Sequence, residues 1–355
     1  MNQAVYSSLK ALHYHDRMSA MSAGRMPAPV HVRIKPTNVC NHNCYFCAYR
    51  TDDISLGEDM VVRDRIPQDK MREIVDDLIA MGVRAVTFSG GGEPLIYPYI
   101  AETIERLAAG GIKIASLTNG SRLKGKVADA VAAHATWIRV SIDGWDGPSY
   151  GEYRGVDADA FEDVMTNLAD FSARGSDCVL GASVIVDERN AGHIVELCRR
   201  LKEAGAQHAK ISPCIVSNAG EENNAYHAAF KDTVRAQISE ARALDDHSFH
   251  VVDHYHDMEV DFAKPYRHCA FARVLTVIGA DCKIYTCQDK AYTASGTLGS
   301  IADQSFREFW YGEENSQRLR DLNPAVACRH HCVADGKNRL LNDYLSLDPE
   351  HLPFV

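Results

Sequence analysis

The sequence predicts an α/β fold built on a parallel sheet. Three observations predict it: short apolar runs rich in β-branched residues, amphipathic stretches between them, and the composition of an ordinary globular protein, with 46% apolar and 24% charged residues. Alternating strands and helices form right-handed βα units. Such units close into a barrel or form an open doubly wound sheet, and in both the chemistry gathers at the carboxyl ends of the strands.

The predicted elements follow one another through the first two-thirds of the 355-residue chain. The strands are expected at HVRIKPT (31–37), RAVTFSG (84–90), IKIASLTN (112–119), WIRVSID (137–143), VLGASVIV (179–186) and HAKISPCIV (208–216). The clearest helices between them, 67–82, 160–175 and 190–205, carry apolar residues at three- and four-residue spacing and end at a glycine.

The composition of the sequence and the pattern of predicted elements change near residues 245–265. Beyond this point the chain is richer in cysteine, residues 273–288 predict a hairpin, and residues 336–346 predict a helix. We therefore expect an N-terminal extension over 1–30, the βα unit over 31–245 and a C-terminal domain over 246–355.

Charge and cysteine usage limit the possible partners. The net charge of −10 argues against general nucleic-acid binding, and no apolar run is long enough for a transmembrane helix. The N-terminus lacks the apolar core of a signal peptide, so a reducing cytoplasm is the expected compartment. In that compartment, eleven cysteines indicate metal ligation or catalysis in preference to disulfides.

Three cysteines lie in the stretch CNHNCYFCAYR, directly after the first predicted strand. Cys40, Cys44 and Cys47 have the spacing C-x3-C-x2-C, which lets their thiolates converge on one soft metal centre. A structural zinc site needs four ligands, and His42, between two of these cysteines, would have to strain the loop to become the fourth. A [4Fe–4S] cluster with three protein ligands and one open iron fits better.

With this motif the chain resembles the radical SAM superfamily, whose signature is the same spacing after the first strand of a partial (β/α)6 TIM-like barrel. The resemblance implies that the open iron binds S-adenosylmethionine. One electron, from a reductant such as flavodoxin or ferredoxin, then cleaves that cofactor to a 5′-deoxyadenosyl radical, which removes a hydrogen atom from the substrate. It also implies that Phe46, before the third cysteine, packs near the adenine.

Three further motifs at predicted strand ends match the same family. The resemblance implies that GGEP binds the methionine ammonium through Gly91, Gly92 and Glu93, although the additional Gly90 leaves the register open by one residue. It likewise implies cofactor contacts at the ends of the next two strands, at Thr118, Asn119, Ser141 and Asp143. The last two are expected to bind ribose hydroxyls.

The C-terminal cysteines resemble the SPASM and twitch domains of many radical SAM enzymes. The resemblance implies one auxiliary [4Fe–4S] cluster, the second of the chain, with the ligands Cys269, Cys287, Cys328 and Cys332. Zinc is the alternative for four thiolates. Cys282 stands where the family usually has glycine, so it is either a ligand or a bystander, and His330 and His331 are expected on the surface.

Of the remaining cysteines, Cys198 is predicted to pack in the core and Cys178 has no readable role. Cys214, near the end of the sixth strand, is either a buried strand residue or a hydrogen donor to a substrate radical. Tyr49, Arg50, Tyr226 and Arg267 are candidate substrate contacts.

The predicted reaction is the net oxidation of a small polar substrate, such as a sugar, cyclitol or nucleoside, with the auxiliary cluster as electron acceptor. The enzymatic alternatives are an epimerase or a peptide-modifying enzyme that uses Cys214 as hydrogen donor. The non-enzymatic alternatives are a structural zinc protein and an electron carrier. Peptide-modifying members often carry a separate leader-binding domain, and the about 30 residues before the first predicted strand are expected to be too few for one.

Overall fold

The computed structural model describes residues 6–51, 54, 56–256 and 262–354. Its described strands form one sheet in the order β10-β9-β8-β1-β2-β3-β4-β5-β6-β7. The strands are β1 His31–Ile34, β2 Ala85–Phe88, β3 Lys113–Thr118, β4 Ala135–Ser141, β5 Val179–Val186, β6 His208–Pro213, β7 His250–Asp253, β8 Leu275–Ile278, β9 Lys283–Tyr285 and β10 Thr297–Ser300.

The central part of this sheet is the predicted partial barrel. Strands β1 to β6 pair in chain order and in parallel, and β7 continues the series beside β6. The predicted fold class is confirmed. Each predicted strand overlaps an observed one, although β4 begins two residues before the predicted start. Most predictions extend past the carboxyl end of the observed strand, because that end runs directly into a loop.

Thirteen α-helices accompany the described strands. They are α1 His15–Ser22, α2 Gln68–Ala80, α3 Ile100–Ala109, α4 Gly125–His134, α5 Gly147–Arg154, α6 Ala160–Ser172, α7 Ile194–Glu203, α8 Gly220–Ala228, α9 Lys231–Ala241, α10 Phe306–Tyr311, α11 Glu313–Asp321, α12 Pro324–Ala327 and α13 Asp335–Leu345. Among the described helices, none has the length and apolar character needed to cross a bilayer.

The barrel helices pack their apolar faces on the sheet. In α2 the buried side chains include Ile74, Val75 and Leu78, which recur at helical spacing, and they join β-strand residues such as Val86 and Ile114 in one continuous core. Helix α5 begins with a capping box between Asp146 and Ser149. These layers leave the inner face of the sheet free for polar side chains.

The C-terminal region extends the same sheet. Strand β8 pairs in parallel with β1, so that His31 lies opposite Leu275, and β9 and β10 continue as an antiparallel meander. The predicted hairpin is confirmed, and its turn lies between β8 and β9. Cys282 there has a φ of 57°, the left-handed conformation that glycine adopts at low cost.

Candidate active site

One large cavity opens at the carboxyl ends of the parallel strands. Its volume is about 1100 Å³, and both ends of the chain contribute to its walls. Cys40, Cys44 and Cys47 line it from the loop after β1, and Cys332 lines it from the C-terminal region. The topology explains this meeting, because β8 places the C-terminal segment directly beside β1.

The N-terminal cysteine loop is held by hydrogen bonds from its own neighbours. Arg50 donates through Nη1 to the carbonyl oxygen of His42 at 3.1 Å, and the amide of Asn43 donates to the carbonyl oxygen of Arg154 at 2.8 Å. The Arg154 guanidinium also lies 3.5 Å from the Sγ of Cys44. Burial raises the pKa of Cys40 to about 11, so metal binding at this loop has to displace a thiol proton.

The Arg154 guanidinium forms a buried ion pair with Asp143. The Asp143 side chain is 0% exposed and that of Arg154 is 5% exposed. Asp143 also accepts a hydrogen bond from the amide of Ile185 at 2.6 Å. Because Asp143 is occupied in this way and Ser141, not Asp143, lines the cavity, the geometry gives no support to ribose binding by Asp143. That role stays a prediction.

The glutamate of the GGEP motif joins the ends of two strands. Glu93 accepts hydrogen bonds from the amides of Leu95 at 2.9 Å and Asn119 at 2.7 Å, and from the hydroxyl of Thr118 at 2.5 Å. Its carboxylate therefore fixes the β3 end relative to the glycine loop. Glu93, Thr118 and Asn119 all line the cavity.

The glycines of this motif are required by close backbone contacts. A Cβ on Gly92 would lie 2.0 Å from the carbonyl oxygen of Val39, and one on Gly91 would lie 2.2 Å from Oδ1 of Asn38. Val39 and Asn38 immediately precede the first cysteine. The glycines thus let the β2 loop lie directly against the cysteine loop.

The four C-terminal cysteines predicted as ligands lie near one another. Burial raises the pKa of Cys287, with smaller contributions from Asp289 and from the thiols of Cys332, Cys269 and Cys328. Cys269 also accepts a hydrogen bond from Nδ2 of Asn338 at 3.2 Å. The charged groups around Cys282 are instead Lys70, Asp281, Asp64 and Glu73, which separates it from this set.

Both cysteine sets have the donor chemistry of an iron–sulfur site. Among the described residues, no three His, Cys, Asp or Glu side chains are already drawn together as a finished metal site. The fit therefore rests on the donor sets: three thiols on one loop beside a cavity, and four grouped thiols next to it. Three and four thiolates match a cluster with an open iron and a fully ligated cluster, respectively.

A polar bridge connects the two regions at the cavity wall. The fully buried ammonium of Lys35 donates to the hydroxyl of Tyr49 at 2.7 Å, and Tyr49 donates to the carbonyl oxygen of Gln288 at 3.4 Å. Tyr49 follows Cys47 by two residues, and Gln288 follows Cys287. This bridge positions the two cysteine sets relative to each other.

The other predicted residues are placed as follows. Phe46, Tyr49, Arg50 and Cys214 line the cavity, whereas Tyr226 and Arg267 are not among its described lining residues. Cys198 is fully buried in the core, as predicted, and Cys178 is 4% exposed in the same core. His330 and His331 line the cavity beside Cys332, in contrast to the expected exposed surface positions.

Two groups of functional candidates were not predicted from the sequence. Tyr45 and Tyr153 both donate to the carboxylate of Asp187, close to Cys214. Arg33, Arg139, Lys210 and Lys337 bring positive charge into the cavity. A basic residue inside an otherwise apolar strand was the available signal for the first three, since parallel strands buried on both faces are normally apolar throughout.

Comparisons with known proteins agree with this geometry. Residues 34–211 match the sequence model of the radical SAM superfamily. The pre-heme d1 synthase of Dinoroseobacter shibae is 27% identical over 95% of this chain and 89% of its own, and the AdoMet-dependent heme synthase of Methanosarcina barkeri is 23% identical over 83% and 85%. A shorter match, 33% identical, joins 30% of this chain to 22% of an S-adenosylmethionine-dependent nucleotide dehydratase of Lacinutrix mariniflava.

The fold also matches a solved structure. The crystal structure of Streptococcus suis SuiB superposes with a TM-score of 0.63 over 90% of this chain and 76% of that chain, at 16% identity. At this identity the likeness concerns the fold alone.

Proposed function

The chain belongs to the radical SAM superfamily, and on that premise we propose that it oxidises an anionic substrate held between an N-terminal and a C-terminal iron–sulfur cluster. The proposed ligands are Cys40, Cys44 and Cys47 for the cluster that binds S-adenosylmethionine, and Cys269, Cys287, Cys328 and Cys332 for the auxiliary cluster. The reductant is proposed to be a flavodoxin or ferredoxin. A cytoplasmic location remains a prediction from the cysteine content.

One observation carries this proposal: residues of both cysteine sets line the same cavity. A substrate in this cavity can lose a hydrogen atom on the side of Cys40 and an electron on the side of Cys332. Bound at the N-terminal thiols, an iron–sulfur cluster would supply the one electron that cleaves S-adenosylmethionine to methionine and the 5′-deoxyadenosyl radical. A substrate that gives one hydrogen atom to that radical, one electron to the auxiliary cluster and one proton to solvent would undergo a net two-electron oxidation.

The chain's own residues position the loops around the proposed cofactor and substrate. Gly91 and Gly92 bring the backbone of the β2 loop against the cysteine loop, which leaves room for a ligand beside Phe46. The Glu93 contacts keep the β3 end in place. The buried guanidinium of Arg154, which contacts Cys44, adds positive charge beside the proposed thiolate ligands.

The substrate class follows from the cavity and from the relatives that span nearly the whole chain. Both of these relatives are named as heme or pre-heme synthases, and heme precursors are macrocycles with carboxylate side chains. A volume of about 1100 Å³ exceeds that needed by a sugar, even with a cofactor bound in part of it. We propose a carboxylate-bearing tetrapyrrole in place of the sugar or cyclitol expected from the sequence, and a nucleotide is the second candidate because of the shorter match.

The epimerase alternative rests on Cys214. Its thiol lines the cavity but is only 7% exposed, and burial raises its pKa to about 12. For a net oxidation we expect Cys214→Ala to keep turnover. Loss of turnover together with loss of solvent deuterium from the product would favour epimerisation.

The proposal is tested on anaerobically purified, reconstituted protein. We expect about eight iron atoms per chain, and about four in Cys287→Ala/Cys332→Ala. With dithionite, that double variant is expected to form 5′-deoxyadenosine but no oxidised product, whereas Cys47→Ala is expected to form neither. Zinc at the C-terminal cysteines, or absence of 5′-deoxyadenosine with the wild-type protein, would contradict the proposal.

A further inference from the structure

The inner wall of the barrel carries a group of basic side chains that the proposed cluster chemistry does not use. We call Arg33 on β1, Arg139 on β4, Lys210 on β6 and Lys337 on α13 the basic floor. All four line the cavity. The three strand residues precede the last residue of their strands by one to three positions, so they lie inside the barrel, below the rim that carries the cysteine loop.

The charge of this cavity is opposite to that of the chain. Among its described lining residues, seven are arginine or lysine and four are aspartate or glutamate, although the chain as a whole carries −10. Of the four acids, Glu93 is occupied by three hydrogen bonds and Asp335 by Tyr266 and Arg339. Asp289 is the carboxylate near Arg33, and it accepts a hydrogen bond from the amide of Val333 at 3.1 Å.

The guanidinium of Arg33 lacks a complete set of partners. Its Nη1 is buried without a hydrogen-bond acceptor among the described residues, and the same is true of Nε in Arg139. Within the part of the chain that the structure describes, neither arginine forms an ion pair, unlike Arg154 with Asp143. Asp289 lies near Arg33 but forms no direct ion pair with it among the described residues, so the charge of the buried guanidinium is only partly compensated. Burying such a group is costly, and a bound anion would reduce that cost.

The positive charges of the basic floor also lie close to one another. Burial lowers the pKa of Arg33; Asp289 and Tyr49 oppose this shift, and the nearby Arg139 adds to it. Lys337 lies over the ring of Phe271 at 5.4 Å and does not turn away to solvent. His31, beside Arg33, is neutral, because burial lowers its pKa to about 3. The positive charge therefore comes from the arginines and lysines.

We propose that the basic floor binds an anionic oxygen group of the substrate, a carboxylate or a phosphate, with Arg33 as its main ligand. The planar guanidinium can donate two parallel hydrogen bonds to such a group. This fixes one end of the substrate inside the barrel and presents the other end to the cysteine loop at the rim. The inference rests on the proposed function, since it names the part of the substrate that the site recognises.

The test measures ligand binding and S-adenosylmethionine cleavage separately. Reconstituted wild-type protein and the variants Arg33→Gln, Arg33→Lys and Arg235→Gln are titrated calorimetrically with three probes. The probes are coproporphyrin III, a porphyrin carboxylate; a cationic pyridinium porphyrin of similar size; and GTP. Arg235, exposed on α9 and paired with Asp232, is the matched control for loss of one positive charge.

We expect coproporphyrin III to bind and the cationic porphyrin not to bind. Arg33→Gln should weaken binding by about 10- to 100-fold, the effect of losing a charged hydrogen-bond partner. Arg33→Lys should weaken it less, and Arg235→Gln by less than about twofold. If GTP binds instead and shows the same loss, the floor is supported and the tetrapyrrole class is refuted.

Several results would overturn the floor: equal affinity in Arg33→Gln, equal binding of the cationic porphyrin, or no binding of either anion. Formation of 5′-deoxyadenosine without substrate is measured in parallel and should be unchanged in the control Arg235→Gln. Its loss in Arg33→Gln together with unchanged coproporphyrin affinity would assign Arg33 to S-adenosylmethionine and overturn the floor, and its absence in the wild-type protein would refute the proposed function itself. Arg33→Gln should also melt no lower than wild type, because an unpaired buried charge is removed; a lower melting temperature would make Arg33 structural.

Discussion

The buried ion pair between Asp143 and Arg154 provides a quantitative prediction. Asp143→Asn keeps the size of the side chain and an oxygen acceptor for the amide of Ile185, so the change is confined to the charge. The guanidinium of Arg154 stays behind at 5% exposure without its carboxylate partner. Breaking a buried pair in this way costs roughly 3–5 kcal/mol.

This cost converts to a measurable melting shift. At about 2.1 cal/mol/K per residue, a chain of 355 residues has an unfolding entropy of about 0.7 kcal/mol/K. The expected decrease is therefore about 4–7 °C for Asp143→Asn. Asp129→Asn, which removes the carboxylate of an exposed pair with Arg174, is the control and should cost at most about 1 kcal/mol.

The assay is differential scanning calorimetry of anaerobic protein with its iron content measured in parallel. The double variant Asp143→Asn/Arg154→Met removes both charges and should recover most of the loss, because the desolvation penalty then disappears. If Asp143→Asn melts within about 1 °C of Asp129→Asn, the pair is not the buried element described above, and the reasoning fails.

Three further predictions concern backbone and titration. Cys282→Gly should raise the unfolding free energy by up to about 1 kcal/mol, because glycine adopts the left-handed φ of 57° without strain. The iron content of this variant should equal that of the wild-type protein. A lower iron content would make Cys282 a ligand. Gly92→Ala should abolish 5′-deoxyadenosine formation, because its Cβ would clash with the carbonyl oxygen of Val39. Gly192→Ala is the control and should keep this activity, because no atom lies within 4 Å of its Cβ. Equal activities of the two variants would refute the close contact. Burial lowers the pKa of His31 to about 3, so the stability linked to its neutral ring is intact above the unfolded value of about 6.5 and is lost as the pH falls toward 3. His31→Asn should therefore reduce the slope of stability against pH in that window by up to about 1.4 kcal/mol per unit, measured by urea unfolding at pH 7 and 5, and an unchanged slope would contradict the buried neutral imidazole.

The sequence predicted those parts of the fold that local patterns encode. Strands β1 to β6 follow from short apolar runs, and α2 follows from helical spacing closed by a glycine. The pairing of β8 with β1 was not predictable in this way, because no local pattern relates Leu275 to His31. The short β7 lies just beyond residue 245, where the barrel was expected to end. With only four paired residues, it is too short to give a distinct local pattern.

The site shows the same limit. The spacing of Cys40, Cys44 and Cys47 was informative, because ligands on one loop meet whatever the rest of the chain does. Asp143 was not, since its motif does not reveal that Arg154 lies across from it in the buried interior. The basic floor was predictable in part: Arg33 and Arg139 interrupt apolar strands, but only the folded partial barrel brings them to one cavity.

The position of β1 between β2 and β8 also has a consequence for biosynthesis. The strand that leads into the first cysteine loop has one neighbour near residue 85 and the other near residue 275. On the ribosome the second neighbour emerges long after the first, and closure of so distant a contact is slow. The nascent polypeptide thus exposes an unprotected sheet edge next to oxidisable thiols until the segment around residue 275 has emerged, so thiol oxidation competes with folding during that interval.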